Sequence, residues 1–406
     1  MSWLLLLLQT LTSPVSAPPL DLATLEAQAL ARHPAVRRAS AEVDAARGRA
    51  KQAGAWSNPI VGGSLGEWRP RETPSGVYGG FVEQMIPLGG KLAAASAAGQ
   101  ADVALADSHL SAAQQRVVAA VREHYYHVVV AEERLAVSTR LRTLAVQSAR
   151  TAQQLFNVGI ADRPDVLNAE AEAAHARAEV VAAQAARDAA WRQLGAAVAE
   201  PSLAPRALAV GIADALPVLN RDEAFAQVVS ENGAMAMATR SAALARASVK
   251  VEQTATRPDV FIRADAGSNR ESSNGRAIGP QLGIEAGVSI PLFNRNRGGI
   301  GAATSAVIGA DAAVDELRLD LESRFADVFA QYEGARARVS AYRTDILPRA
   351  EQAYELQQAK YQEMVAPYLG VLQAQRVLFQ MHEQYLDAID RAWMAVSALR
   401  SALAGR

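Results

Sequence analysis

The chain has 406 residues, and half of them are hydrophobic, but aromatic residues make up only 5%. Because alanine supplies much of the apolar content, the composition favours long helices packed through small side chains. The 41 basic and 42 acidic residues nearly cancel, which argues against a nucleic-acid binder held by phosphate neutralisation. The chain has no cysteine, so disulfides, thiolate metal sites and thiol catalysis are excluded, and no N-terminal lipid anchor is expected.

Residues 1–17 are predicted to be a secretory signal peptide. An apolar run at residues 3–8 is followed by polar residues and by Val15-Ser16-Ala17, a small-residue site of the kind that signal peptidases cleave. No later segment reaches the roughly 18 uncharged apolar residues of a membrane helix. If the protein spans a membrane, we expect it to do so with strands.

Residues 18–200 predict a helix, a β-hairpin, a long helix, a tip turn and another helix. Helix formers run through residues 22–56 and stop at Asn58-Pro59. Residues 59–88 hold two runs of glycine, β-branched and aromatic residues around a polar loop, which indicates a hairpin. Residues 90–157 lack proline and predict one helix of about 70 residues, roughly 100 Å long.

The same order returns in residues 221–406, after a proline-containing linker at residues 201–220. A second hairpin is predicted at residues 258–292, and a second long helix runs from residue 296 past Pro348 to about Met364. The motif Ile-Pro-Leu begins at Ile86 and again 204 positions later at Ile290, and Phe156 corresponds to Tyr361 with an offset of 205. These shared offsets predict a tandem duplication.

The strands of the second hairpin alternate between apolar and polar residues. One face carries small or apolar side chains, and the other carries Asp259, Arg263, Asp265 and Glu285. A soluble half-buried sheet and a transmembrane barrel both predict this alternation. Four strands cannot close a barrel, and open edges are not tolerated in lipid, so the membrane interpretation requires several chains to share one barrel.

This duplicated plan resembles the TolC-type outer-membrane efflux channel family over residues 20–403. Residues 33–59 resemble its amino-terminal helix, and the sequence VGIADRPDVLNAE from Val158 resembles its periplasmic turn. SIPLFNRNRG from Ser289 is similar to a junction common in the subgroup of cobalt-zinc-cadmium and copper-silver exporters. The resemblance implies a mainly α fold with a β-barrel part. Tandem-duplicated helical hairpins would form a trimeric tube, the linker would lie in its equatorial region, and two hairpins per chain would enter a shared twelve-stranded transmembrane barrel.

The resemblance also implies a function. The protein would be a passive exit duct in the outer membrane of a Gram-negative bacterium, extending into the periplasm. Its partners would be outer-membrane lipid, a periplasmic adaptor and a proton-driven inner-membrane pump of the resistance-nodulation-division type. Heavy-metal cations are the expected cargo, and organic drugs or secreted molecules are the alternative. Neither an enzyme nor a cofactor is expected, because the sequence holds no P-loop, nucleophile elbow or zincin motif. A soluble or surface-attached coiled-coil scaffold or adhesin remains the alternative class.

The tip turns are the expected docking sites of adaptor hairpins. Gly159 suits the positive φ of a helix end, Asp162 can cap the next helix and Pro164 fits its first turn. Exposed apolar residues here favour docking over a plain turn. The predicted docking residues are Val158, Gly159, Ile160, Met364, Val365 and Ala366.

The pore entrance is expected beside these turns. In the repeat alignment Asp165 corresponds to Gly370, and Asn168 corresponds to Gln373, where many relatives of this family carry carboxylates. An aspartate ring at the second tip is therefore not expected, although Glu363 can place a carboxylate nearby. The candidate lumen residues are Asp259, Arg263, Asp265 and Glu285. His124 and His127 lie three apart on one helix, but we expect them to pack or face solvent and expect no metal site.

Overall fold

A computed structural model describes residues 19–66, 77–209, 216–273 and 276–403, and the predicted signal peptide lies outside them. The first repeat contains α1 (Leu22–Arg32), α2 (Pro34–Ala53), β1 (Ile60–Gly66), β2 (Val77–Pro87), α3 (Lys91–Asn157) and α4 (Arg163–Ala197). The second contains α5 (Arg221–Glu231), α6 (Gly233–Ala255), β3 (Asp259–Ser273), β4 (Arg276–Ser289), α7 (Arg297–Ala341), a π-turn (Tyr342–Ile346), α8 (Leu347–Gln362) and α9 (Tyr368–Arg400). The predicted mainly α fold with two hairpins is confirmed.

The long helix α3 follows from its composition. Its 67 residues contain no proline, so no backbone donor is missing and no ring interrupts the hydrogen-bond ladder. The prediction of a single helix over residues 22–56 is wrong. His33 takes an extended conformation with ψ at 129° and separates α1 from α2, because the residue before a proline is driven out of the helical region. Among the described helices, none is long and apolar enough to cross a bilayer.

Both hairpins join in a single antiparallel sheet with the order β1-β2-β3-β4. The register places Arg263 of β3 opposite Glu83 of β2 on one side and opposite Glu285 of β4 on the other. Within the described chain, β1 and β4 are therefore the two free edges. Because side chains alternate between faces, this register also fixes which residues share a face.

By internal contacts the chain divides into two compact units. One comprises residues 37–113 and 229–321, including the sheet, and the other comprises the remaining residues. In the first of these units, a side chain on Gly99 of α3 would lie 2.7 Å from the Ala50 Cα atom of α2. The two helices thus approach through small residues, as the alanine-rich composition predicts. Val43, Ala46 and Ala106 form the buried cluster beside this approach.

The other unit has a more aromatic core. Trp191 of α4 is buried and donates its indole N–H to the Glu132 carboxylate of α3 at 2.7 Å. The ring of Tyr126 stacks on that of Trp393 with centroids 4.3 Å apart. The start of the linker is fixed here as well, because the Leu20 amide donates to the Ala207 carbonyl at 2.8 Å.

Candidate functional site

The apolar face of the sheet is the most exposed part of it. Leu282 is 88% exposed, Ile284 is 85% exposed and Val61 is 74% exposed. A soluble protein would bury such a face against its own helices, and no described helix covers it. The soluble half-buried sheet considered from the sequence is therefore wrong for this chain. Large contiguous apolar surfaces mark sites of contact with membrane or protein.

The opposite face carries the charged residues of the sheet. The Arg263 guanidinium lies 3.7 Å from the centre of the Phe81 ring and 3.8 Å from the Glu83 carboxylate. Asp259 pairs with Lys91 of α3 at 2.7 Å. Two of the four candidate lumen residues are thus neutralised locally. Sequence analysis missed Glu83 and Lys91, although the alternation of the first hairpin places Glu83 on the same face as Phe81.

The other two candidates keep free carboxylates. Asp265 extends over Gly283 of β4, where its oxygen would lie 2.6 Å from an added side-chain carbon. Glu285 sits opposite Arg263 in the register. Neither carboxylate forms an ion pair with any residue that the structure describes. Among the described side chains of this face, acidic groups outnumber basic groups.

Aromatic rings cover glycines on the same polar face. Phe81 of β2 lies over Gly62 of β1, and Phe261 of β3 lies over Gly287 of β4. In each pair the ring stands directly opposite the glycine in the register, so it fills the space that the missing side chain leaves. Both hairpins use this device, with the ring on the second strand of the first hairpin and on the first strand of the second hairpin.

The two tip turns have the same backbone structure. Gly159 has a φ of +77°, and the corresponding Met364 has a φ of +62°. In both turns this residue's amide donates to the carbonyl three positions earlier, and the next amide donates to the carbonyl five positions earlier, at 2.8 to 3.1 Å. This pattern satisfies the last carbonyls of a helix. Asp162 does occupy the N-cap of α4, but its side chain makes no capping hydrogen bond, so that detail of the prediction is wrong.

The tips expose apolar side chains to solvent. Val158 is 68% exposed and Val365 is 72% exposed, while Ile160 and Met364 are also exposed and Ala366 is half-buried. Both turns adjoin one hydrophobic cluster, in which Ala152 and Ala169 of the first repeat pack with tyrosines of the second. The apolar residues of the two turns thus project from a common packed base.

The candidate entrance residues fall into two groups. Asp165 is half-buried beside Tyr361, and burial together with the Asp165 charge raises the pKa of Tyr361 to about 12, so its hydroxyl stays protonated. Asn168, Glu363 and Gln373 are exposed. Gly370 is half-buried, and the Gln357 side chain would lie 3.0 Å from an added carbon there. The structure thus places one carboxylate, Asp165, against the tyrosines and leaves Glu363 in solvent.

An ion pair missed by sequence analysis joins the two repeats near the tips. The Arg376 guanidinium of α9 contacts the Glu172 carboxylate of α4, whose side chain is almost fully buried. Their separation in sequence, 204 residues, gives no local signal of contact. Only the packing of α4 against α9 brings them together.

No group of three or more metal-binding side chains occurs among the described residues. The His127 Nδ1 atom lies 3.0 Å from the Asp390 carboxylate, and this contact raises the pKa of His127. Burial lowers the pKa of His124. The two histidines therefore differ in environment, and both lie within the helical packing.

The family model for outer membrane efflux proteins matches residues 25–200 and 203–405. The chain is 29% identical over 367 residues to the cobalt-zinc-cadmium resistance protein CzcC of Cupriavidus metallidurans, covering 89% of this chain and 84% of CzcC. It is 28% identical over 316 residues to the nickel-cobalt-cadmium resistance protein NccC of Alcaligenes xylosoxydans xylosoxydans, covering 75% and 68% of the two chains. A crystal structure of CusC matches with a TM-score of 0.78 at 18% identity, covering 98% of this chain and 96% of CusC. The chain therefore belongs to the outer membrane efflux protein family, as its sequence predicts, and is an outer-membrane channel protein and not an enzyme.

Proposed function

We propose that this chain is the outer-membrane exit duct of a tripartite heavy-metal efflux system. The observation that carries the proposal is the exposed apolar face of a sheet with two free edges. In lipid, unpaired strand edges are prohibitively unfavourable, so the sheet must continue into further strands. Three copies of a four-stranded sheet supply twelve strands, enough for a closed barrel with a water-filled interior.

Divalent metal cations are the proposed cargo. The names of CzcC and NccC refer to resistance to cobalt, zinc, cadmium and nickel, and those names support the assignment by relationship. The chemistry of the polar face supports it independently, because Asp265 and Glu285 form no ion pair with any described residue. Rings of acidic side chains favour cations over anions in a wet pore. In a trimer each of these carboxylates would occur three times.

The tip turns are the proposed docking sites for a periplasmic adaptor, which links the duct to a proton-driven pump in the inner membrane. Val158, Gly159 and Ile160 form the first turn, and Met364, Val365 and Ala366 form the second. Two exposed apolar turns on one packed base suit a partner helical hairpin that buries them. Asp165, Asn168, Glu363, Gly370 and Gln373 would line the entrance behind the turns.

Growth on a panel of metals tests the cargo. A strain lacking this gene should become sensitive to at least one divalent metal, and the wild-type gene should restore tolerance. The double variant Asp265→Asn/Glu285→Gln should restore it only partly, because the cation-attracting charge is gone. The matched control is Asp222→Asn/Glu223→Gln, which removes the same charge from α5, outside the sheet.

Two outcomes would contradict the proposal. If the deletion changed tolerance only to organic compounds, the cargo would be organic. If the protein were recovered from the periplasm without detergent, the coiled-coil scaffold or adhesin would be the better interpretation, since a barrel protein must be extracted from the outer membrane.

A further inference from the structure

The offset between the two repeats changes by one residue along the long helices. Where the hairpins end, Ile86 corresponds to Ile290 with an offset of 204, whereas at the tips Gly159 corresponds to Met364 with an offset of 205. The two turns share their φ values and hydrogen bonds, so the second offset rests on structure as well as on sequence. The second repeat therefore holds one extra residue between these landmarks.

Burial locates the extra residue. In the later part of α3 and α7, buried residues correspond at an offset of 204, in the pairs Val121 and Phe325, Tyr125 and Phe329, Val128 and Tyr332. Beyond the tips the offset is 205, in the pairs Val166 and Val371, Ala183 and Ala388, Leu194 and Leu399. The insertion thus lies between Tyr332 and the tip.

The π-turn at Tyr342–Ile346 occupies this interval. Its closing hydrogen bond runs from the Leu347 amide to the Tyr342 carbonyl, five residues back. A π-turn is the form in which a helix accepts one additional residue without changing the faces on either side of it. The corresponding residues 137–141 of α3 are uninterrupted α-helix.

Pro348 weakens the helix further at this point. Pro348 follows the π-turn and offers no amide donor, and its ring crowds the carbonyl of the preceding turn. Tyr342 nevertheless stays fixed to α9, because its hydroxyl contacts the Gln384 side-chain oxygen at 2.6 Å. The π-turn thus has a weakened pattern of main-chain hydrogen bonds, while a side-chain contact holds it against α9.

The arm beyond the π-turn buries polar side-chain atoms inside its hydrophobic cluster. Tyr354, Tyr361 and Gln375 are buried, yet the two hydroxyls and both polar atoms of the Gln375 amide form no hydrogen bond with any residue that the structure describes. The corresponding arm of the first repeat, residues 137–197, has no such buried side-chain atom among those described. Buried polar groups without partners favour any state that hydrates them. The second arm is therefore the one held less firmly.

We propose that the inserted residue makes the π-turn a hinge, about which the α8–α9 arm moves independently of α7. The first repeat has no counterpart, so the two arms of one chain are mechanically different. The inference that this motion opens the entrance rests on the proposed function. The inference that the hinge exists does not depend on the proposed function.

Deletion of single threonines tests the insertion directly. Thr344 of the π-turn corresponds to Thr139 of α3, and each hydroxyl donates to the carbonyl four residues back. Removing Thr344 together with Pro348→Ala should leave a continuous α-helix with its buried face intact. Removing Thr139 should rotate all later residues of α3 off the core.

Far-UV circular dichroism of the purified full-length protein measures the effect of each deletion. It should show near wild-type melting for the variant that lacks Thr344, and a melting temperature lower by about 10 °C or more for the variant that lacks Thr139. Equal damage, or equal tolerance, would overturn the proposal.

Hydrogen exchange tests the hinge in the wild-type protein. Amides of residues 342–347 should exchange at least about tenfold faster than those of residues 137–142. The variant lacking Thr344 and carrying Pro348→Ala should bring the first segment to the rate of the second. Equal rates in the wild-type protein would refute the hinge.

Metal tolerance then tests whether motion at the hinge is needed for export. A variant that folds, has lost the fast exchange and confers reduced tolerance supports opening about the hinge, whereas full tolerance would refute that role. If the wild-type gene itself conferred no metal tolerance, the proposed function would fail, while the exchange rates would still decide whether the hinge exists.

Discussion

The substitution Ile284→Arg separates a membrane-facing sheet from a solvated one. Ile284 lies in the middle of β4 on the apolar face, and its side chain is 85% exposed in the single chain. In water an arginine at such a position should change the free energy of unfolding by no more than about 0.5 kcal/mol. Facing lipid near the midplane it should cost about 2–4 kcal/mol.

Assembly multiplies the effect. A trimer would carry the substitution three times, so the penalty rises to about 6–12 kcal/mol for the assembled barrel, which is comparable to the whole stability of a typical domain at about 5–15 kcal/mol. The neighbouring Glu285 points to the opposite face, so Glu285→Arg is the matched control. It introduces the same side chain one residue away on the wet side.

The assay is the amount of protein that reaches the outer membrane. Membrane fractions are extracted with detergent and run without heating, which preserves stable oligomers. We expect Ile284→Arg to remove the outer-membrane oligomer and Glu285→Arg to preserve it. If both variants accumulated equally as oligomers, the apolar face would not contact lipid, and the barrel interpretation would be wrong.

Three further predictions concern the helical units. Gly159→Pro should abolish export while the oligomer persists, because proline cannot adopt a φ of +77° and cannot donate the turn hydrogen bond; Met364→Gly, which keeps the equivalent backbone but removes one docking side chain, should retain more export than Gly159→Pro in the same growth assay. Arg376→Ala should lower the free energy of unfolding by about 1 kcal/mol, because buried Glu172 loses its partner while the guanidinium that is removed is mostly solvated. Denaturant unfolding measures this, and Arg38→Ala, from an exposed ion pair, should leave the denaturation midpoint unchanged. The pKa of His127 is raised above 6.5 by Asp390, so its stabilising contribution is full below pH 6.5 and is lost as pH rises through the higher folded value; His127→Gln should therefore reduce melting temperature more at pH 6 than at pH 9, and the reverse order would refute the ion pair.

The elements that sequence could predict are those with local signals. The absence of proline predicts α3, the alternation of Leu282, Ile284 and Val288 predicts a strand with an apolar face, and glycine predicts the turn at Gly159. Each of these signals lies within the element that it predicts. The boundary at His33 was missed because a proline can equally begin a helix, and only the observed backbone shows that it does so here.

Features that depend on distant residues could not be predicted. The neutralisation of Arg263 requires the register of β2 against β3, and the pairing of Glu172 with Arg376 requires two arms to pack. The π-turn is an intermediate case. The change of offset from 204 to 205 is present in the sequence, but its position follows only from burial on both sides.

The free edges of β1 and β4 have a consequence for the life of the newly made chain. Before the trimer assembles, a single chain exposes unpaired backbone N–H and C=O groups along two strands and an apolar surface beside them. Such edges can pair with any extended peptide. We therefore expect unassembled chains to be degraded quickly and to depend on chaperones while they cross the periplasm. Overproduction should exceed the capacity of these chaperones, so surplus protein should aggregate before it accumulates as soluble monomer.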